Sequence, residues 1–130
     1  MALSNGTLFK LRSSTSLDPY DSIVVTAPSG GYTAGDMVKI EDVVGVVVED
    51  ALIDVEVAVV VLAAKIVVPC NTVATAANWT VGTKVYYDST AANVTATGSG
   101  MDLCGTVTTA GAVGDTDIEI FLDGRLALYT

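Results

Sequence analysis

The chain has 130 residues, near the commonest size for one domain, so it can bury a real core without staples. Hydrophobic residues make up 51% and charged residues only 16%, a mixture that excludes a disordered tail. The balance of 15 acidic against 6 basic residues, net −9, is the wrong sign for gripping a phosphate backbone and argues against nucleic acid as a partner.

The apolar set is led by 21 Val, and 16 Thr add more β-branched side chains. Such residues lose χ1 freedom in helices but suit pleated strands, so composition alone predicts sheet.

In chain order, residues 1–21 read as an extended N-terminal arm. Leu8, Phe9, Leu11 and Leu17 are scattered among Ser, Thr and Asn, together with two of the six basic residues, Lys10 and Arg12. An apolar and basic segment on an acidic protein suits contact with a partner or a neighbouring subunit. Leu8, Phe9, Lys10, Leu11 and Arg12 are therefore the candidate partner-binding residues, with cover of the domain's own edge as the alternative use. The opening residues lack the basic n-region and apolar core of a signal peptide.

Residues 22–130 read as one β domain. Ser22 to Ala27 is a β-branched run closed by the breaker cluster Pro28-Ser-Gly-Gly31. Met37 to Glu41 alternates apolar with charged residues, and Val43 to Val48 continues apolar around Gly45, which marks a bend or bulge. Asp54 to Val60 alternates at its start, and Lys65 to Val68 leads into Pro69, where a central strand has to stop. The apolar stretch Val57 to Val68 carries Lys65 and is far short of a bilayer span, so it reads as buried strand and no membrane is expected. Thr72 to Trp79 has Ala enough for a helical turn only. Strands return at Lys84 to Tyr87, Asn93 to Thr97, Leu103 to Thr108 and Asp117 to Leu122. Many short strands with Gly, Ser and Asp between them predict a small barrel or sandwich.

Three blocks recur in order, which predicts a domain of two pseudo-repeated halves. Thr33-Ala-Gly35-Asp-Met-Val38 matches Thr80-Val-Gly82-Thr-Lys-Val85, Val44-Gly-Val-Val47 matches Cys104-Gly-Thr-Val107, and Asp54 to Val59 matches Asp117 to Leu122. The offsets are 47, 60 and 63, so most of the extra length falls in a second-copy hairpin at Asp88 to Met101. Two copies are too few for a solenoid, and a barrel closed by similar halves accounts for them.

No catalytic, cofactor-binding or metal-binding residues emerge. Histidine is absent, which removes the commonest general base and rules out Ser/His and Cys/His pairs within the chain. Gly98-Ser-Gly100 and Ser29-Gly-Gly31 have no following phosphate-loop lysine and read as turns. Asp54 with Glu56, and Asp117 with Glu119, lie at i and i+2 on strands and form solvated acidic rows; Asp115, Asp117 and Glu119 lack EF-hand spacing. Cys70 and Cys104 have no metal-ligand neighbours and read as two buried reduced thiols, as expected of a protein maturing in a reducing cytosol. Trp79, Tyr86 and Tyr87 read as core with hydroxyls at the rim.

The order of blocks is recognisable as a whole. A strand ending in Val-Thr-Ala-Pro28 is followed by Ala34-Gly-Asp-Met-Val38, Val44-Gly-Val-Val47, Val67-Val-Pro69, Gly82-Thr-Lys-Val-Tyr-Tyr-Asp88 and Asp117-Ile-Glu-Ile-Phe-Leu122. Over roughly Ser22 to Leu122 this resembles a family of small tailed-bacteriophage head proteins, sometimes mislabelled recombinase-like, that act as capsid cement or decoration proteins. The resemblance implies a β-barrel or β-tulip-like fold, homotrimers bound to the major capsid protein on the outer capsid surface of the virion, host-cytoplasmic assembly, and no enzymatic activity. The competing reading is an adhesin module of a phage fibre or surface, holding a host glycan or receptor through the acidic face or the Trp79 and Tyr87 region.

Overall fold

The computed structural model describes residues 20–98 and 101–129. They form an all-β fold of eight strands: β1 Tyr20–Thr26, β2 Met37–Ile40, β3 Val43–Val47, β4 Glu56–Pro69, β5 Lys84–Asp88, β6 Asn93–Thr95, β7 Asp102–Val107 and β8 Asp117–Asp123. A 3-10 turn at Ala76–Asn78 replaces the helical turn expected before Trp79, and a second 3-10 segment, Gly124–Tyr129, ends the described chain. The strands make one antiparallel sheet in the order β2-β3-β4-β8-β7-β5-β6, with β1 also on β4. This sheet curls into a nearly closed barrel.

β4 organises the molecule. The buried strand expected over Val57 to Val68 is present as one strand of 14 residues, which takes in both the alternating run before Val60 and Lys65 to Val68 and stops at Pro69 as expected. The interruption at Ala64 and Lys65 is a register shift between Ala63 and Ile66, so a bulge turns the strand without ending it. The first part of β4 pairs with β1 and β3. Its later part pairs with β8, ending in Pro69 opposite Asp117. Leu62 and Ala63 each have partners on both β1 and β8, so those two strands lie on opposite edges of β4. Tyr20 and Asp21, read from sequence as the end of the arm, already belong to β1, opposite Ala63 and Leu62.

Two stretches of the sheet are built alike. Gly35 N–H donates to Val47 O and Gly82 N–H to Val107 O, each at 2.8 Å; Val47 N–H donates to Asp36 O and Val107 N–H to Thr83 O, each at 2.9 Å. Both turns need the left-handed backbone that glycine adopts without strain, φ +90° at Gly35 and +91° at Gly82. The last matched block aligns differently from the sequence match. Val47 pairs with Val59 and Val107 with Ile120, so the ladders place the offset there at 61 instead of 63. A slip of two residues keeps every side chain on its face, which is why alternation could not distinguish the two alignments.

The apolar faces of these strands fill two clusters. The larger takes inward residues from nearly the whole barrel, among them Val44, Val60, Val85, Val107, Ile120 and Leu122. The smaller holds Ala27, Val47, Ala51, Val57, Val59 and Val61. Around the larger cluster, β4, β8, β7, β5 and β6 follow one another by ladders, and Val94 of β6 returns to β4's end through a bridge to Cys70 and a 2.8 Å bond from Asn71 N–H. Around the smaller cluster, among the described residues, no strand joins β1 to β2, and Ile23, Val25, Tyr32, Val38 and Val43 remain partly buried.

Candidate functional site

Leu8, Phe9, Lys10, Leu11 and Arg12 lie outside the described residues. The groups that could have carried chemistry are placed, and Glu119, Asp115 and both cysteines have local structural partners. Glu119 accepts from Thr108 Oγ1 at 2.7 Å and from Thr109 Oγ1 at 2.8 Å, and these bonds hold its carboxyl below its ordinary pKa. Asp115 accepts from the Ala112 N–H at 2.9 Å within its own turn. Among the described residues no group of three acidic or thiol side chains is placed to hold a metal ion.

Both cysteines are free and buried. The Cys70 thiol donates to Asp115 O and the Cys104 thiol to Val85 O, at sulfur distances of 3.8 and 3.7 Å. Burial, with help from nearby carboxylates, pushes Cys70 up to about 11 and Cys104 up to about 12, so neither is a ready nucleophile. Trp79 and Tyr87 are each 5% exposed, and Tyr87 donates its hydroxyl to Met37 O at 3.3 Å. Neither ring offers a stacking face to a glycan.

The surface that stands out is the hairpin loop 48–55 between β3 and β4. Asp54, at φ 68°, turns the chain there, and its N–H donates to Ala27 O. The loop's backbone is tied down by the reciprocal pair Tyr32 N–H to Ala51 O and Ala51 N–H to Tyr32 O, and by the Asp50 carboxylate, which accepts from the Ala34 N–H at 2.9 Å. On this fixed frame Leu52 is 78% and Ile53 53% exposed, with Val48 and Val55 exposed beside them. Tyr32, Asp50, Ala51 and Leu52 line a shallow cleft of about 310 Å³ next to them. Glu49, Asp50, Asp54 and Glu56 surround the apolar tip, all exposed.

An apolar tip within an acidic rim on a braced hairpin has the form of a contact surface: burying Leu52 or Ile53 against a partner yields about 1.5–3 kcal/mol each. This surface is hard to foresee from sequence. Leu52 and Ile53 sit inside a nearly continuous apolar run from Val43 to Val68, and hydropathy cannot tell a loop tip from the strands on either side. The available signal was Glu49-Asp50 and Asp54 bracketing the pair, which is turn chemistry around two large apolar residues.

No described helix is long and apolar enough to cross a membrane. No curated protein and no solved structure matches the chain. Residues 17–122, from just before β1 to the penultimate residue of β8, match a family model described as phage cement protein.

Proposed function

The chain belongs to the phage cement protein family, and we propose that it is a non-enzymatic decoration protein that binds the outer surface of an icosahedral phage head and stabilises the assembled shell. The observation that carries this reading is the extent of the family match, which takes in nearly all of the described barrel rather than one motif. Its partners are the major capsid protein and further copies of itself, as a homotrimer. It is made and assembled in the host cytoplasm and ends on the virion surface, with the segment Leu8 to Arg12 contacting the shell or a neighbouring subunit.

The physical case agrees. A capsid presents one weak site many times over, so a small oligomer that bridges several shell subunits gains by multivalency what each contact lacks. A barrel whose loops are already braced by backbone hydrogen bonds loses little conformational entropy on docking.

The test is cosedimentation of the purified protein with cognate expanded heads lacking it, beside unexpanded heads and a form of the chain starting at Tyr20. Saturable binding to expanded heads, with a raised temperature of head disruption, is the expected result. Binding that survives the truncation would move the shell contact from the arm to the barrel, and failure to bind either head form would overturn the reading.

A further inference from the structure

We propose that the segment Leu8 to Arg12 of one copy docks on the 48–55 tip of a second copy, its apolar side chains covering Leu52 and Ile53 and its two cations facing Glu49, Asp54 and Glu56. The proposal concerns self-association of the free protein, so it can fail while head binding holds, and the reverse.

Charge complementarity selects the occupant. The tip needs an apolar segment that carries positive charge, and the chain has six basic residues in all. Lys39 is paired with Asp102 at 2.9 Å and Arg125 with Asp123 at 3.0 Å. Lys65 lies close enough to Glu119 to help hold its carboxyl ionised. Lys84 stands on β5 beside Val85, whose side chain is fully buried, so it is not part of an exposed apolar segment. Lys10 and Arg12 remain, and they alternate with Phe9 and Leu11 in Leu8-Phe-Lys-Leu-Arg12. Among the described residues Glu49, Asp54 and Glu56 have no cationic partner.

The path of the chain selects a second copy over the chain's own arm. β1 runs from Tyr20, opposite Ala63, to Thr26, opposite Glu56, so the arm enters at the end of β1 remote from the tip. The rise from Tyr20 to Thr26 is about 20 Å, and Leu52 lies beyond it. From Tyr20 a fully extended chain reaches about 26–29 Å at Arg12 and about 36–40 Å at Phe9, so a chain serving its own tip would have to spend much of that stretch retracing the length of β1. A neighbour's arm carries no such constraint. A contact between one patch on one copy and a different patch on the next is heterologous, the kind that closes into a ring when the rotation permits.

The experiment uses the full chain and introduced thiols, since Cys70 and Cys104 are both buried. Chains bearing Phe9→Cys are mixed with chains bearing Leu52→Cys and oxidised; a disulfide-linked heterodimer, in excess of either chain oxidised alone, is expected. A chain carrying both substitutions that links only within itself, at a yield independent of concentration, would overturn the second-copy assignment. Absence of any link would overturn the contact altogether. Independently, sedimentation should show Lys10→Glu with Arg12→Glu weakening self-association at least about tenfold, with recovery when Glu49→Lys and Asp54→Lys are added. A wild-type chain that is monomeric, or an oligomer indifferent to both reversals, would overturn the proposal.

Discussion

The turn that holds Tyr32 and the turn that holds Trp79 share a frame and differ in what fills it. In both, the glycine three residues on donates to the end of the neighbouring strand, and the partner loop returns a hydrogen bond to the aromatic residue's backbone: Ala51 N–H to Tyr32 O, and Gly111 N–H to Trp79 O at 2.9 Å. Around Trp79 the ring of strands is completed by β6, and Trp79 is buried in the larger cluster with Val73 and Ile118. Around Tyr32 nothing corresponds to β6 among the described residues, the ring is only partly buried, and the adjoining hairpin turns Leu52 and Ile53 outward. The same backbone therefore serves a closed region that supplies stability and an open one that presents surface. The difference lies in side chains and in one inserted hairpin.

The largest expected effect tests that division directly. Trp79→Ala empties a buried site and should cost about 3–5 kcal/mol, whereas Tyr32→Ala, truncating a half-buried ring, should cost no more than about 2 kcal/mol. Urea unfolding midpoints of the two variants check this, and equal losses would break the comparison.

Alkali should act on the closed region first. Cys70 and Cys104 both belong to its cluster, while Val44 stands where the second stretch has Cys104. Both thiols are raised above an ordinary 9.0, so the stability their neutral forms contribute is fully present below pH 9 and is lost as pH rises through about 11 and 12. Hydrogen exchange followed upward from pH 9 should show β7 losing protection before β3, and a thiol reagent should label neither cysteine until the protein unfolds.

Where the frame itself is tested, the two regions should respond alike. Gly35→Ala and Gly82→Ala each force a side chain into the left-handed region with open space around it, so each should cost about 1–2 kcal/mol. A marked inequality between them would show that the shared hydrogen bonds do not carry equal weight. Ala92, at φ 57° in the hairpin present only in the closed region, gives the converse: Ala92→Gly should gain about 1 kcal/mol. Smallest of all, Leu52→Asp should leave the unfolding free energy within about 0.5 kcal/mol of the parent at dilutions where the chain is dissociated, because there the side chain it removes is already in water.

Much of this architecture could be read before folding was considered. The β-branched alternation located the strands to within a residue or two, and the glycines of the matched turns stand where left-handed backbone is required. The bulge at Ala64 and Lys65 was not legible, because an exposed pair in an apolar run looks the same whether the strand bends or stops. Nor was the start of β1, since Tyr20 and Asp21 carry no alternation that sets them apart from the preceding polar residues; only their ladder with β4 does. The candidate surface was the least legible part. Exposure of Leu52 and Ile53 follows from the reach of the hairpin beyond its neighbours, a property of three-dimensional packing that a linear hydropathy pattern does not contain.

β4 runs unbroken through both regions, 14 residues with a contour of about 43 Å. Its ladder with β1 and β3 lies in one region and most of its ladder with β8 in the other, so a pull along its axis that separates the two loads these hydrogen bonds together in shear, not one after another as in a peeled hairpin. Were the protein to bridge shell subunits as proposed above, a load separating them would pass along this strand, a continuous tie rod through the molecule.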